Sequence, residues 1–401
     1  AAFGMRPGLE RVGVLLDGLG RPQDGYRVVH VVGTNGKSST TRYIAALLSA
    51  HGLRAGAYLS PHLTGFCERV LIDGRPVSAE RFGAAVETVR AAVTRLPAGL
   101  GETTQFEVLT VAALLALAEE SVEAVALEAG LGGRLDATNV VVAPVVVLTN
   151  IGLEHTEVLG ETREAIFAEK AAVIKGGDAL FGSLDGLEAA AVEACRRAGA
   201  RAWFLGRDFS AVGDPADFSV TTPAATYEGL RLPTAALYQR DNAALAVTAA
   251  ERLLGRLDAG AVRSGLATAA VPGRLQVVAG APVVVADGAH NPDGVAVLAA
   301  SLAGLALPAP RVLLAAIMRD KDYEVMLDRL VPLCDTIVCT QASQPRSLPA
   351  ERLGASARAA VARRAAACAV VVEADAQAAL AAARRLATTE GSVIVAGSLY
   401  L

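Results

Sequence analysis

The sequence predicts an α/β protein in two domains. The first carries a phosphate-loop-type, mostly parallel sheet together with a small antiparallel sheet, and the second is a smaller, Rossmann-like α/β domain. Three observations lead there. At 401 residues the chain exceeds the size at which a single core keeps growing. Short runs rich in Val, Ile and Leu alternate with amphipathic stretches, the pattern of a parallel sheet covered by helices. Finally, Val32-Gly33-Thr34-Asn35-Gly36-Lys37-Ser38-Ser39-Thr40 lies between an apolar run and a helix-like stretch. Strand, glycine turn, lysine and hydroxyls thus arrive in the order that a nucleotide phosphate cradle requires.

In chain order, the apolar runs predict strands at Arg27–Val32, 55–59, 122–128, 144–149 and 179–182, with helices filling most of the gaps. Segment 208–233 has turn residues and short alternating runs, which predicts the small antiparallel sheet closing the first domain. Helix returns over 238–254. Val271-Pro272-Gly273-Arg274 punctuates the chain and places a boundary there, giving domains 1–272 and 273–401. Beyond it, strands are predicted at 283–287, 311–316, 336–339, 368–372 and 392–396.

Composition narrows the function. Apolar residues make up 53 % but aromatics only 4 %, so the cores are built from Ala, Val and Leu. A net charge of −4 leaves no basic excess for a nucleic-acid backbone. Cys67, Cys195, Cys334, Cys339 and Cys368 form no CxxC pair, which fits reduced thiols in the cytoplasm. The longest apolar stretches, such as 140–148, fall far below the ~20 residues needed to span a bilayer, and no signal peptide is visible at the start.

Five strings carry chemistry. In the phosphate loop, Gly33 and Gly36 allow a tight turn with inward N–H groups, Lys37 adds positive charge, and Ser38 or Ser39 can face a magnesium ion. Glu128 ends an apolar strand ahead of Ala129-Gly130-Leu131-Gly132-Gly133-Arg134-Leu135-Asp136, which puts a carboxylate at the strand edge where ligands of open α/β sheets gather. The next strand runs into Thr149-Asn150-Ile151-Gly152-Leu153-Glu154-His155, so His155 should approach Glu128 if the two strands are neighbours, and the pair could share a divalent cation. For Lys170, in Ala168-Glu169-Lys170-Ala171, a salt bridge is the plain expectation. Asp287-Gly288-Ala289-His290-Asn291-Pro292 places an acid and a histidine between a strand and a helix, and Arg274 can reach a phosphate bidentately.

Together with Ser60-Pro61-His62-Leu63, Phe106-Glu107, Asn242-Ala243, Asp320-Lys321-Asp322 and Gly397-Ser398-Leu399-Tyr400, these strings resemble the Mur ligase superfamily, and within it the folylpolyglutamate synthase and dihydrofolate synthase family. The resemblance runs nearly end to end. It implies that Gly33, Thr34, Asn35, Gly36, Lys37, Ser38 and Ser39 bind ATP phosphates, and that Asn242, Arg274, Asp287, His290, Ser398 and Tyr400 also contact the nucleotide. Ser60, Glu128 and His155 would hold magnesium, and a carbamylated Lys170 a second magnesium, with a monovalent cation as an option. The catalytic set would be Lys37, His155, Lys170, Asp287 and His290. Phe106, Arg134 and Asp136 match the family's pterin pocket, and the Met5 to Arg11 segment its entry.

The implied activity is amide ligation: a pteroate or folate carboxylate is phosphorylated by ATP, and L-glutamate displaces the phosphate. The expected partners are dihydropteroate or a reduced folate and L-glutamate, with no nucleic acid and no membrane, in a cytoplasmic monomer. A Mur-type ligase for another carboxylate and a non-catalytic nucleotide-binding homologue are the alternatives. Two features depart from the family. Ser38 stands where glycine is common, and the chain stops at Leu401 just after Ser-Leu-Tyr, where relatives continue a little.

Overall fold

The computed structural model describes residues 8–401. The chain divides into two compact units, residues up to Pro233 with Gln239–Ala270, and Thr234–Tyr238 with Val271–Leu401.

The first unit is built on eight strands: β1 (Arg27–Val32), β2 (Ala55–Tyr58), β3 (Val70–Ile72), β4 (Arg75–Pro76), β5 (Ala124–Glu128), β6 (Val145–Asn150), β7 (Gly177–Ser183) and β8 (Ala200–Phe204), in the order β4-β3-β2-β5-β1-β6-β7-β8. From β2 to β8 all pairings are parallel, and only the β2-β3-β4 edge runs antiparallel. The central strands are buried on both faces, as a parallel sheet between helices must be. On one face, Val28 and Val32 of β1 join Leu114 and Leu117 of helix Gln105–Glu119 in the main core cluster. Three further strands, β9 (Ser210–Asp214), β10 (Asp217–Thr221) and β11 (Thr226–Leu230), form the small antiparallel sheet expected from 208–233. Glu251 on helix Tyr238–Leu254 fastens that sheet, accepting hydrogen bonds from Thr222 Oγ1 at 2.6 Å and Tyr227 Oη at 2.9 Å.

The second unit has six strands, β12 (Gln276–Gly280), β13 (Val283–Ala286), β14 (Arg311–Ala315), β15 (Thr336–Cys339), β16 (Ala369–Val372) and β17 (Ser392–Ala396), ordered β12-β13-β17-β14-β15-β16. All neighbours are parallel except β12 with β13. Helix Pro292–Ala303 leaves the β13 edge, capped by Asn291 Oδ1, which accepts from the Gly294 N–H at 2.7 Å, with proline in its first turn.

The mixed architecture matches the fold class read from the sequence. Four strands were not anticipated: β3, β4, β8 and β12. Each lies at or next to a sheet edge, is short, or exposes apolar residues; Val277 on β12 is 65 % exposed, so its alternation does not report a buried face.

Candidate active site

Parallel pairing of β1 with β5 and β6 brings the carboxyl ends of all three strands to one edge. The phosphate loop leaves β1 there and enters helix Lys37–Ala50 through Gly36, whose φ of +83° is a left-handed conformation open to glycine at no steric cost. A Cβ at Gly36 would lie 2.5 Å from Asn242 Oδ1, so the loop also packs against helix Tyr238–Leu254.

The loop's shape is held by β6. The Asn35 N–H donates to Asn150 Oδ1 at 2.9 Å, and the Thr34 N–H to the Asn150 carbonyl at 3.1 Å. Thr149 Oγ1 donates to the Asn35 carbonyl at 2.6 Å, and the Gly152 N–H donates to Thr34 Oγ1 at 3.0 Å. Thr149 and Asn150 were visible in the sequence only as the polar end of a strand.

Lys37 Nζ donates to the carbonyls of Gly33 at 2.8 Å and Thr34 at 3.0 Å. The Gly33 carbonyl also accepts from Lys170 Nζ at 2.8 Å, so two ammonium groups meet on one oxygen. Lys170 lies on helix Arg163–Ala171, is 1 % exposed, and pairs with Glu154 Oε1 at 2.7 Å. Burial opposes ionisation of Glu154, but Lys170 and Lys37 outweigh it and hold its carboxyl down at about 2. Burial pushes the Lys170 ammonium below the usual lysine range, against the pull of Glu154. Glu154 was present in the sequence string, but nothing there marked it as the counter-charge.

Glu128, 1 % exposed at the end of β5, accepts from Ser38 Oγ at 2.8 Å on one oxygen and from the Ser60 backbone N–H at 3.2 Å on the other. Ser38 therefore stands on the carboxylate side of the loop. Ser39 is buried and turned elsewhere, its hydroxyl accepting from Gln239 Nε2 at 3.0 Å while Gln239 Oε1 accepts from Asn242 Nδ2 at 3.0 Å. No sequence signal singled out Gln239.

His155 was expected near Glu128 only if their two strands were neighbours, and that condition is not met. β1 lies between β5 and β6, so Glu128 and His155 leave the sheet on either side of the phosphate loop. His155 sits in a left-handed conformation, φ 47°, ahead of the short helix Thr156–Leu159, and its charge helps to lower Glu154. Among the described residues, no three His, Cys, Asp or Glu side chains gather to hold a metal ion.

The glycine loop after β5 is organised by Asp136. Its Oδ2 accepts from the N–H groups of Gly130 at 3.0 Å and Leu131 at 2.8 Å, and its Oδ1 from the Thr138 N–H at 3.0 Å and hydroxyl at 2.5 Å. Burial raises its pKa against these donors. Arg134 is half-exposed and tied to Glu169 Oε1 at 2.8 Å. Gly133 allows this approach, since a Cβ there would lie 2.6 Å from the Glu169 carbonyl. Phe106 packs over Gly130 and near Tyr58, with ring centroids 6.4 Å apart. Arg11 pairs with buried Glu107 at 2.7 Å; Met5, Arg6 and Pro7 of the expected entry segment lie outside the described residues.

In the second unit, Asp287 Oδ2 accepts from Tyr238 Oη and the Leu275 N–H, and Oδ1 from the Ala289 N–H, each at 2.8 Å. Burial raises its pKa, while Arg274 and these donors oppose the rise. Arg274 lies against Gly288. His290 Nδ1 is 2.8 Å from the Gly288 carbonyl. A carbonyl only accepts, so Nδ1 carries the proton and Nε2 is the basic position of the neutral ring. Ser398 Oγ accepts from the Tyr400 N–H at 3.0 Å, and Tyr400 is exposed. Asp287, His290 and Arg274 cluster at the carboxyl end of β13.

Comparison with known proteins extends this geometry. Residues 31–250 match the Mur ligase middle domain, and residues 273–399 the Mur ligase glutamate ligase domain. A dihydrofolate synthase/folylpolyglutamate synthase of Bacillus subtilis is 36 % identical over 88 % of this chain and 85 % of its own. A Mycobacterium tuberculosis folylpolyglutamate synthase complexed with ADP and AMPPCP superposes with a TM-score of 0.93 at 32 % identity, covering 98 % of this chain and 93 % of that one. A bifunctional folylpolyglutamate synthase/dihydrofolate synthase with Mn, AMPPNP and L-glutamate bound gives 0.87 at 32 % identity, covering 99 % and 92 %.

Proposed function

The chain belongs to the dihydrofolate synthase/folylpolyglutamate synthase family of Mur ligases, and from that premise we propose that it joins L-glutamate to the carboxylate of dihydropteroate, and of reduced folates in the same site, at the expense of ATP. One observation carries the reading: Lys37, Ser38 and Glu128 form a single set at the edge of the sheet, with Lys37 on the loop carbonyls and Ser38 on the carboxylate. ATP and a divalent metal are its cofactors.

The residues fit magnesium. Glu128 and the Ser38 hydroxyl are hard oxygen donors, and this ion commonly takes one or two carboxylates, keeping waters and phosphate oxygens for its other positions. Ser60 and His155 are further candidates for this site, and a carbamylated Lys170 for a second one, with a monovalent cation beside them. When bound, the metal would neutralise charge on the transferring phosphoryl group. Lys170 suits carbamylation because burial lowers its pKa and favours the neutral amine, although the change would sacrifice its pair with Glu154.

The phosphate loop, held in shape by the Thr34 and Asn35 N–H bonds to Asn150, orients the triphosphate through the N–H groups at the start of helix Lys37–Ala50, and Lys37 turns from the carbonyls toward the incoming phosphate oxygens. The substrate carboxylate attacks the γ-phosphate and releases ADP. The glutamate amine then attacks the acyl carbon and expels phosphate. Gly33 to Ser39 and Asn242 bind the nucleotide, and Arg274, Asp287, His290, Ser398 and Tyr400 are assigned to it as well. Phe106 and the 130–136 loop, with Arg134 and Asp136, receive the pterin. Asp136 does so by shaping the loop, because its oxygens already accept four hydrogen bonds there. The enzyme acts as a monomer.

The test is phosphate release on mixing the protein with ATP, magnesium and L-glutamate, with dihydropteroate or a reduced folate added in turn. Stimulation by either, absent from Lys37→Ala, is expected. No stimulation by any pterin would overturn the substrate assignment.

A further inference from the structure

His30 lies on β1, fully buried, three residues before the phosphate loop, and plays no part in the chemistry above. Its Nε2 is 2.8 Å from Thr138 Oγ1. That hydroxyl has one hydrogen, and it lies 2.5 Å from Asp136 Oδ1. If the hydroxyl donates to the carboxylate, His30 must donate through Nε2–H, and Nδ1 is a bare lone pair, which agrees with its having no partner. The reverse polarity would protonate Asp136 and bury an N–H at Nδ1 with no acceptor, which is the costlier arrangement. The ring stays neutral, because burial, helped by Lys175, pushes its pKa down to about 3.

We propose that His30 is a positioning residue for the acid substrate: through the Thr138 hydroxyl, its Nε2–H fixes the Asp136 carboxylate that holds the N–H groups of Gly130 and Leu131. One strand then serves two loops. The end of β1 becomes the phosphate loop, and its buried face props the glycine loop that follows β5, its hydrogen-bonded neighbour. The proposal rests on the reading that this glycine loop receives the pteroate.

The test compares the full chain with His30→Leu, which keeps bulk but loses the donor, and His30→Gln, whose Nε2 can donate from a similar place. At saturating ATP and L-glutamate, His30→Leu should raise KM for dihydropteroate about tenfold, with kcat and KM for ATP changed less than about twofold, and His30→Gln should recover most of the loss. Hydrogen exchange at the Gly130 and Leu131 amides should quicken by a similar factor in His30→Leu only. A variant that melts lower yet keeps wild-type KM and exchange rates would overturn the proposal. So would an equal rise in KM for ATP, which would place the effect in the phosphate loop. If His30→Leu fails to fold, Thr138→Val breaks the same chain at its middle and carries the same expectations. A wild-type protein that ignores pterins defeats the substrate reading alone, and the exchange rates still decide whether His30 holds the loop.

Discussion

Glu154 and Lys170 meet where water is nearly excluded, their side chains 8 % and 2 % exposed. Removing one partner of such a pair strands the other, so Glu154→Gln should cost about 3 kcal/mol in denaturant unfolding at neutral pH. The pH dependence follows from Glu154. Its carboxyl is depressed from 4.5 to about 2 in the folded state, so its contribution is complete above 4.5 and drains away as the pH falls through about 2. The stability gap between wild type and Glu154→Gln should therefore narrow across that acid window, which unfolding curves at successive pH values would reveal. Equal gaps throughout would mean that Glu154 is not the titrating partner. This pair was half legible: the sequence offered Lys170 with a salt bridge as its plain fate, but adjacent Glu169, which instead pairs with Arg134, was no less plausible a partner than Glu154.

At the scale of elements, the turn from β1 into helix Lys37–Ala50 depends on Gly36. Alanine there must adopt a φ of +83° and push against Asn242, so Gly36→Ala should abolish ATP-dependent turnover and destabilise the protein by about 1–3 kcal/mol. A kinetic assay paired with thermal melting checks it, and a fully active variant would exclude this turn as the nucleotide loop. Elements buried on both faces were the readable ones: β1, β15 and β17 fall where their apolar runs predict, because a strand covered by helices reads as an unbroken hydrophobic run. Edge strands such as β12 and the β3–β4 hairpin lack that signature. Strand adjacency was also hidden. Nothing in the sequence says that β1 inserts between β5 and β6, which is why Glu128 and His155 could be expected side by side.

For the whole molecule, a ligand that binds only the folded state must raise its stability by mass action. ADP with magnesium at about a hundred times its dissociation constant should add about 2.7 kcal/mol, seen as a higher melting temperature that EDTA reduces and Lys37→Ala abolishes. An unchanged melting temperature in wild type would count against nucleotide binding. The phosphate motif was conspicuous in the sequence, whereas Asn150, Gln239 and Asn242 meet the loop only through tertiary contacts. That dependence has a consequence during synthesis on the ribosome. Lys37 is made before β5 and β6, the strands that flank the cradle, and before the Asn150 side chain and the helix from Tyr238 that it also needs. Nascent chains that stop before Tyr238 therefore carry the motif without its scaffold, and the loop is completed only by segments made after the residues that define it.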